Sequence, residues 1–109
     1  MRVLITGVLG YIGSWMAEEA VHRHHRVTGL DAGFYRQAVL FRRPRPEFPL
    51  VEKDVRDVTE DDLRGFDAII HLAELSNDPL GQLDPALTRR INFEGSVRLA
   101  RLALDATLE

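Results

Sequence analysis

Short apolar runs and helical spacings alternate along the first third of the chain. Met1–Thr6 is rich in aliphatic residues and stops at Gly7, which predicts a strand buried on both faces. The segment after it carries apolar residues at helical spacing, which predicts an amphipathic helix packed through Ile12, Met16, Ala20 and Val21. Arg26–Asp31 is the next apolar run and predicts a second strand.

The remaining chain repeats this alternation. Leu50–Asp54 predicts a third strand, and Thr59 before three acidic residues predicts the cap of a short helix that ends at Gly65. Phe66–Ala73 predicts a fourth strand with a continuous apolar middle. Asp84-Pro85 predicts the start of a long helix. The apolar positions of that helix are Leu87, Ile91, Gly95, Leu99, Leu102, Ala103 and Ala106.

Strands that alternate with helices are typical of right-handed βαβ units and a parallel sheet. In the doubly wound pattern the strand order is 3-2-1-4, so the predicted fold class is α/β and the chain is part of a Rossmann fold. A chain of 109 residues with 45% hydrophobic and 28% charged residues is typical of a globular protein. We therefore expect a single domain over residues 1–109.

Charge, cysteine content and the length of apolar runs exclude several classes of protein. A formal net charge of −3 gives no general reason to expect a nucleic-acid or membrane-surface partner. The absence of cysteine excludes disulfides, thiolate zinc sites and a cysteine nucleophile, and it favours a reducing cytoplasm. No apolar run approaches the ~20 residues that a membrane span needs. We expect a soluble, cytoplasmic protein.

The glycine-rich string Gly7-Val8-Leu9-Gly10-Tyr11-Ile12-Gly13 stands between the first predicted strand and the first helix. Gly7 permits a tight turn, Gly10 lets the backbone approach a pyrophosphate, and Gly13 lets the helix pack on the sheet. About 20 residues later Asp31 ends the second strand, where a carboxylate can accept hydrogen bonds from a ribose and repel a 2′-phosphate. This context predicts NAD binding, with NADP disfavoured. The alternative is an ordinary turn between a strand and a helix.

The sequence resembles the extended short-chain dehydrogenase/reductase family, in particular its NAD-dependent nucleotide-sugar epimerases and dehydratases. The resemblance covers nearly the whole chain and is carried by Thr6–Gly13, Gly29–Asp31, Asp54–Asp57, His71–Ala73 and Ile91–Gly95.

The resemblance implies further cofactor contacts outside the central glycines. Tyr11 and Ile12 belong to the cofactor-binding turn, and Asp54 bonds the adenine amino group. Val55 packs on the adenine, Leu72 and Ala73 line the cofactor channel, and Asn92 is the helix asparagine near the active site. A nucleotide sugar is expected as a partner only of the full-length protein. The site residues implied by motif and resemblance are Gly7, Gly10, Tyr11, Ile12, Gly13, Asp31, Asp54, Val55, Leu72, Ala73 and Asn92.

Two positions depart from the family pattern. Val8 replaces a common glycine or alanine, and Glu74 stands where a small residue is frequent, so that its carboxylate could crowd or repel a cofactor phosphate. Several site residues also have a purely structural alternative. Asp54 would then cap the turn after its strand, Asn92 would stabilise its helix, and His71 is expected to be a packed strand residue.

Two groups of charged or titratable residues are not expected to form sites. Histidines 22, 24 and 25 lie together, but they lack a carboxylate or cysteine partner, so no metal is expected. Arginines 36, 42, 43 and 45 are expected on a solvated loop, with Arg36 as the alternative contact for a 2′-phosphate. Prolines 44, 46 and 49 limit this loop to a short helix at residues 35–41.

The family's catalytic Tyr-x-x-x-Lys pair does not occur in these 109 residues. The tyrosines are Tyr11 and Tyr35, and the lysine is Lys53. We therefore expect no catalytic residue here, a fragment of a larger enzyme, and no turnover by this chain alone. The fourth strand would then have an unpaired edge, which predicts a homo-oligomer formed through that edge or by helix exchange. The alternative function is a non-catalytic dinucleotide sensor or a self-assembling module.

Overall fold

A computed structural model describes residues 1–33, 47–74 and 84–107 of the chain. It contains a four-stranded sheet with the strand order β3-β2-β1-β4. The strands are β1 (Arg2–Thr6), β2 (Arg26–Asp31), β3 (Leu50–Glu52) and β4 (Ala68–His71). The helical elements are α1 (Tyr11–His22), a 3₁₀ turn (Val55–Asp57), α2 (Glu60–Leu63), α3 (Pro85–Arg89), a π-helical turn (Arg90–Glu94) and α4 (Gly95–Thr107).

All neighbouring strands in the sheet are parallel. Strand β1 lies in the middle, where Thr6 pairs with Leu30 of β2 on one side and with His71 of β4 on the other. Because the strands are parallel, their carboxyl ends meet at one edge, which is where doubly wound folds bind their ligands. The predicted α/β class and the strand order 3-2-1-4 are confirmed.

One face of the sheet is covered by α1. Its buried cluster joins alternate residues of β1, one residue of β2 and one of the turn after β1 to small residues of the helix. Its members are Val3, Ile5, Val8, Ala17, Ala20 and Val27. The prediction that Ile12 and Met16 form the packed face is wrong, because these side chains are 63% and 37% exposed. Instead the helix is buried through Gly13, Ala17 and Ala20. Small side chains bring the helix axis close to the sheet, which turns the larger residues outward.

The opposite face is covered by the π-helical turn, α4 and the 3₁₀ turn. Its buried cluster takes one residue each from β1 and β2 and the remainder from these covering segments, the residue after the 3₁₀ turn and α2. It consists of Leu4, Leu30, Val55, Val58, Leu63, Ile91 and Leu99. Leu4 is 1% exposed and Ile5 is fully buried, so β1 is buried on both faces as predicted.

Caps and glycines set the bounds of the shorter elements. The Thr59 N–H donates to the Asp62 carboxylate at 2.8 Å, and Gly65 at φ +81° follows the end of α2. At the start of α3, Asp84 directly precedes Pro85, the first helical residue, and its carboxylate accepts the Leu87 N–H at 3.0 Å. Both helix starts are therefore where the sequence predicts them.

Three strands are shorter than predicted. Strand β1 starts at Arg2, β3 ends at Glu52 because Asp54 already caps the 3₁₀ turn, and β4 is Ala68–His71. The long C-terminal helix is interrupted by a π-helical turn, although its predicted apolar face lies on the core. The predicted loop arginines 36, 42, 43 and 45 and the short helix at 35–41 lie outside the described residues.

Candidate cofactor site

Gly7 forms the first corner of the turn between β1 and α1. Its φ of +73° lies in the left-handed region, which favours glycine. A Cβ at this position would lie 2.6 Å from both the carbonyl carbon and the carbonyl oxygen of Leu72. Both the backbone angle and the close approach therefore require glycine, and they bring the turn against the chain that leaves β4.

Gly10 and Gly13 bring the start of α1 against the same corner. The Gly10 N–H donates to the Gly7 carbonyl oxygen at 3.0 Å. A Cβ on Gly13 would lie 2.1 Å from that oxygen, and non-bonded contacts of a Cβ essentially never fall below 3.0 Å. The turn at residues 7–13, called the glycine turn from here on, thus presents backbone at these three positions.

Helix α1 begins without a side-chain cap. Gly10 is the N-cap, and among the described residues no side chain bonds to this cap, while the first helical turn contains no acidic residue. The side chains of Tyr11 and Ile12 are 81% and 63% exposed. A helix N-terminus carries N–H groups without helical partners and a partial positive charge, so this end of α1 offers a surface for an anion such as a diphosphate.

The carboxylate of Asp31 lies directly against the glycine turn. One oxygen accepts the Leu9 N–H at 2.9 Å, and the other accepts the Gly33 N–H at 2.7 Å. A carboxylate has about four lone-pair sites, so each oxygen can accept a further hydrogen bond. The end of β2 and the start of α1 therefore present an acceptor next to a region of bare backbone.

Asp54 and Val55 follow β3, and each makes a structural contact. Asp54 caps the 3₁₀ turn by accepting the Arg56 N–H at 2.8 Å and forms an ion pair with the Arg56 guanidinium at 2.6 Å. Hydrogen bonds from Arg56 hold the pKa of the Asp54 carboxyl below its usual value, and this pair raises the pKa of Arg56. Val55 is 4% exposed within the core, so its side chain offers little surface to an adenine ring.

Leu72 and Ala73 leave β4 beside the glycine turn. Their N–H groups donate to the Thr6 hydroxyl at 3.0 and 3.2 Å, and the Leu72 N–H also approaches the Thr6 carbonyl oxygen at 3.1 Å. Together with the approach of Gly7, these bonds bring the ends of β1 and β4 into one region. We call the glycine turn together with Leu72 and Ala73 the cofactor corner.

The structure also contains a polar cluster that the sequence analysis did not find. The imidazole of His71 lies between the hydroxyls of Thr6, at 2.6 Å from Nδ1, and Ser96, at 2.9 Å from Nε2. The Ser96 hydroxyl donates to the Asn92 carbonyl oxygen at 2.7 Å. Burial lowers the pKa of His71, although the negative charge of Glu74 acts in the opposite direction. The available signal was that the apolar runs of β1 and β4 both end on a polar residue.

The two departures from the family pattern have different surroundings. Val8 is completely buried, and a Cβ at Gly29 would lie 2.6 Å from its Cγ1, so glycine at position 29 makes room for valine at position 8. The valine therefore fills the core behind the turn and does not obstruct the corner. Glu74 is exposed, and its N–H donates to the Leu72 carbonyl oxygen at 3.0 Å.

These observations fit a dinucleotide better than a metal ion. The corner combines a glycine cradle that a Cβ would fill, an uncapped helix N-terminus and a carboxylate at the end of the neighbouring strand. Within residues 1–33, 47–74 and 84–107, no group of three or more His, Cys, Asp or Glu side chains is placed to hold a metal. The same ranges contain no helix with the length and apolarity to cross a bilayer.

The fold and the corner define a Rossmann-type dinucleotide-binding chain. A model of the NAD dependent epimerase/dehydratase family matches residues 3–109, and the chain belongs to this family. The family and the NAD cofactor that the sequence predicts are thereby confirmed. Among curated relatives, the UDP-glucose 4-epimerase of Mycolicibacterium smegmatis is 31% identical over 111 aligned positions, which cover 94% of this chain and 34% of the relative.

Solved structures show the same resemblance. A UDP-glucose-4-epimerase from Stenotrophomonas maltophila with bound NAD superposes with a TM-score of 0.82 at 26% identity, covering 98% of this chain and 34% of that one. A dTDP-glucose 4,6-dehydratase from Streptomyces venezuelae with NAD bound gives a TM-score of 0.81 at 30% identity, covering 98% and 37%. The chain thus spans about a third of the length of the proteins that it matches.

Proposed function

We propose that this chain binds NAD at the cofactor corner and is the NAD-binding part of a nucleotide-sugar epimerase or dehydratase. The observation that carries the proposal is the Asp31 carboxylate, which accepts the Leu9 N–H at 2.9 Å within a turn whose glycines leave the backbone bare. In this arrangement the diphosphate binds the N–H groups at the start of α1, and the ribose hydroxyls donate to Asp31.

The charge of Asp31 makes NAD the preferred dinucleotide. A 2′-phosphate would place negative charge beside this carboxylate, and such a pair is disfavoured in a partly buried site. Leu72 and Ala73 line the channel beyond the diphosphate, and Asn92 lies farther along it. Asp54 is the proposed partner of the adenine amino group. Val55 lies beside the adenine ring and contacts it chiefly through its backbone, because the Val55 side chain is buried.

In the whole protein, NAD held by Asp31 and the glycine turn would supply reversible hydride transfer with the substrate. The NAD-bound relatives support a nucleotide sugar as that substrate, since an epimerase and a dehydratase of nucleotide sugars are among them. The residues of this chain bind and orient the cofactor. They include no Tyr-x-x-x-Lys pair, so we propose that residues 1–109 alone do not turn over a nucleotide sugar.

Two further properties follow from the same proposal. Within the described part of the chain, β4 pairs only with β1, so its outer edge offers unpaired backbone groups for self-association. Sedimentation of the chain at high concentration should show a dimer or larger species, and a single monomeric species would contradict this. The absence of cysteine supports a reducing compartment, which we propose is the cytoplasm.

Isothermal titration calorimetry with NAD and with NADP tests the binding proposal. We expect NAD to bind more tightly, and Asp31→Ala to raise the Kd for NAD by about tenfold or more, the loss typical of a hydrogen bond to a charged group. Asp31→Asn should narrow the difference between the two dinucleotides because it removes the charge. Asp105→Ala, which removes an exposed aspartate of α4, is the matched control. No binding at millimolar NAD would refute the proposal.

A further inference from the structure

The buried hydroxyl of Thr6 connects the end of β1 to the backbone of the cofactor corner. Thr6 is fully buried, and its Oγ1 accepts the N–H groups of Leu72 and Ala73. These are the residues whose backbone would lie within 2.8 Å of a Cβ on Gly7. The Thr6 hydroxyl thus adds two bonds to the β1–β4 pairing that positions the chain leaving β4 relative to the glycine turn.

The direction of every hydrogen bond in this cluster is determined by its neighbours. The Asn92 carbonyl can only accept, so the Ser96 hydroxyl donates to it and must accept from Nε2–H of His71. The Thr6 hydroxyl already accepts two N–H groups, so its own proton goes to Nδ1 of His71. The network is complete with a neutral imidazole that carries its proton on Nε2.

We propose that Thr6, His71 and Ser96 are positioning residues of the cofactor corner, which hold Leu72 and Ala73 at the distance from Gly7 that NAD binding requires. The inference rests on the proposed function, because it assigns the purpose of this distance. Ser96 is on α4, so the relay also makes the geometry of the corner depend on how α4 packs on the sheet. None of the three residues needs to touch the cofactor.

Protonation of His71 would disrupt the relay. A proton on Nδ1 would face the Thr6 hydroxyl, whose acceptor sites are already used by the two N–H groups. Two neutral side chains face the His71 ring, Thr6 from β1 and Ser96 from α4. The charged group that acts on the pKa of His71 is Glu74, which follows β4. Burial outweighs Glu74 and lowers the pKa of His71 from its ordinary value, which favours the neutral ring that the hydrogen bonds require.

Substitutions at position 6 separate positioning from stability. Thr6→Val keeps the shape but removes the hydroxyl, and we expect it to raise the Kd for NAD by about tenfold. Thr6→Ser loses a buried methyl group and some stability, but it keeps the hydroxyl and should bind NAD within about threefold of the original chain. Val3→Ala, at the other end of β1, is the control that lowers the melting temperature without changing the Kd.

Nuclear magnetic resonance supplies a readout that does not involve NAD. The ¹⁵N shifts of His71 should report a neutral ring with the proton on Nε2, and Thr6→Val should accelerate hydrogen exchange at the Leu72 and Ala73 amides. A charged ring at neutral pH, or the Nδ1–H form, would overturn the inference. If the original chain binds NAD and Thr6→Val binds it equally well, the inference alone fails. If the original chain does not bind NAD, the proposed function fails and the inference fails with it.

Discussion

Replacement of Gly13 by alanine is the most direct test of the close contact between α1 and the glycine turn. The added Cβ would lie 2.1 Å from the Gly7 carbonyl oxygen, 2.9 Å from its carbonyl carbon and 3.0 Å from the Val8 Cα. All three atoms are backbone, so no side-chain rotation can relieve the contact. Ordinary contact distances are about 3.5 Å, so α1 must move away by more than about 1 Å.

The expected cost is the balance of two effects. Inserting a methyl group into a packed site typically costs about 1–3 kcal/mol, whereas alanine is better than glycine in a helix by about 1 kcal/mol. The shift also moves Ala17 and Ala20 away from the sheet, which loses packing on that face. We therefore expect Gly13→Ala to lower the free energy of unfolding by at least about 1 kcal/mol, equivalent to a fall of at least about 4 °C in Tm.

Gly95→Ala is the matched control, because Gly95 is also a buried helical glycine. A Cβ there would lie 3.2 Å from the Arg90 carbonyl oxygen and 3.4 Å from the Val55 Cγ1, which small shifts can accommodate. Helix propensity should offset that cost to within about 1 kcal/mol. Urea unfolding followed by circular dichroism compares the two variants. If Gly13→Ala is as stable as Gly95→Ala, the inferred contact at the turn does not exist.

Two further predictions concern the core and the 3₁₀ turn. Gly29→Ala should lower the free energy of unfolding of the original chain by about 1–3 kcal/mol. The loss should be smaller in a Val8→Ala background, because the Val8 Cγ1 that lies nearest the new Cβ is then absent. If urea unfolding shows that the free-energy losses of the two substitutions simply add, this prediction is contradicted. The pKa of Asp54 is lowered from 3.8, so its bond to Arg56 stabilises the fold above that pH and is lost as the pH falls through the folded-state pKa. The stability difference between the original chain and Asp54→Asn should therefore disappear in acid, whereas a constant difference from neutral pH to pH 2 would disprove this assignment.

The strand order and the glycine turn are predictable because their signals are local. A buried parallel strand needs a continuous apolar run, and the turn after it needs residues without Cβ atoms where backbones meet. Both requirements appear at Gly7, where φ is positive and the Leu72 backbone is close. The caps at Thr59 and Asp84 are predictable for the same reason, since each bond joins residues three apart: the Asp62 carboxylate accepts the Thr59 N–H, and the Asp84 carboxylate accepts the Leu87 N–H.

The packed face of α1 was not predictable from hydrophobicity alone. The helix carries large apolar residues on one side and small residues on another, and both sets have helical spacing. The distance between α1 and the sheet decides between them, and that distance is set by the contact of Gly13 with Gly7. Trp15 and Met16 are consequently 51% and 37% exposed.

The relay through His71 depends on contacts between residues far apart in the chain. Ser96 is 25 residues from His71, and Thr6 is 65 residues away in the other direction. A histidine at the end of an apolar strand gives no indication of these partners. The exchange between Val8 and Gly29 is hidden in the same way, because only the folded chain brings the valine over β2.

A titration of the ¹⁵N-labelled chain with NAD, followed through its amide resonances, tests the central claim most directly. The claim predicts saturable shifts that are largest at the amides of Tyr11, Ile12 and Gly13 and extend to Asp31. It would be contradicted if NAD caused no shifts, or if the shifts were confined to the exposed groove of Phe93, Val97 and Arg101 beside α4.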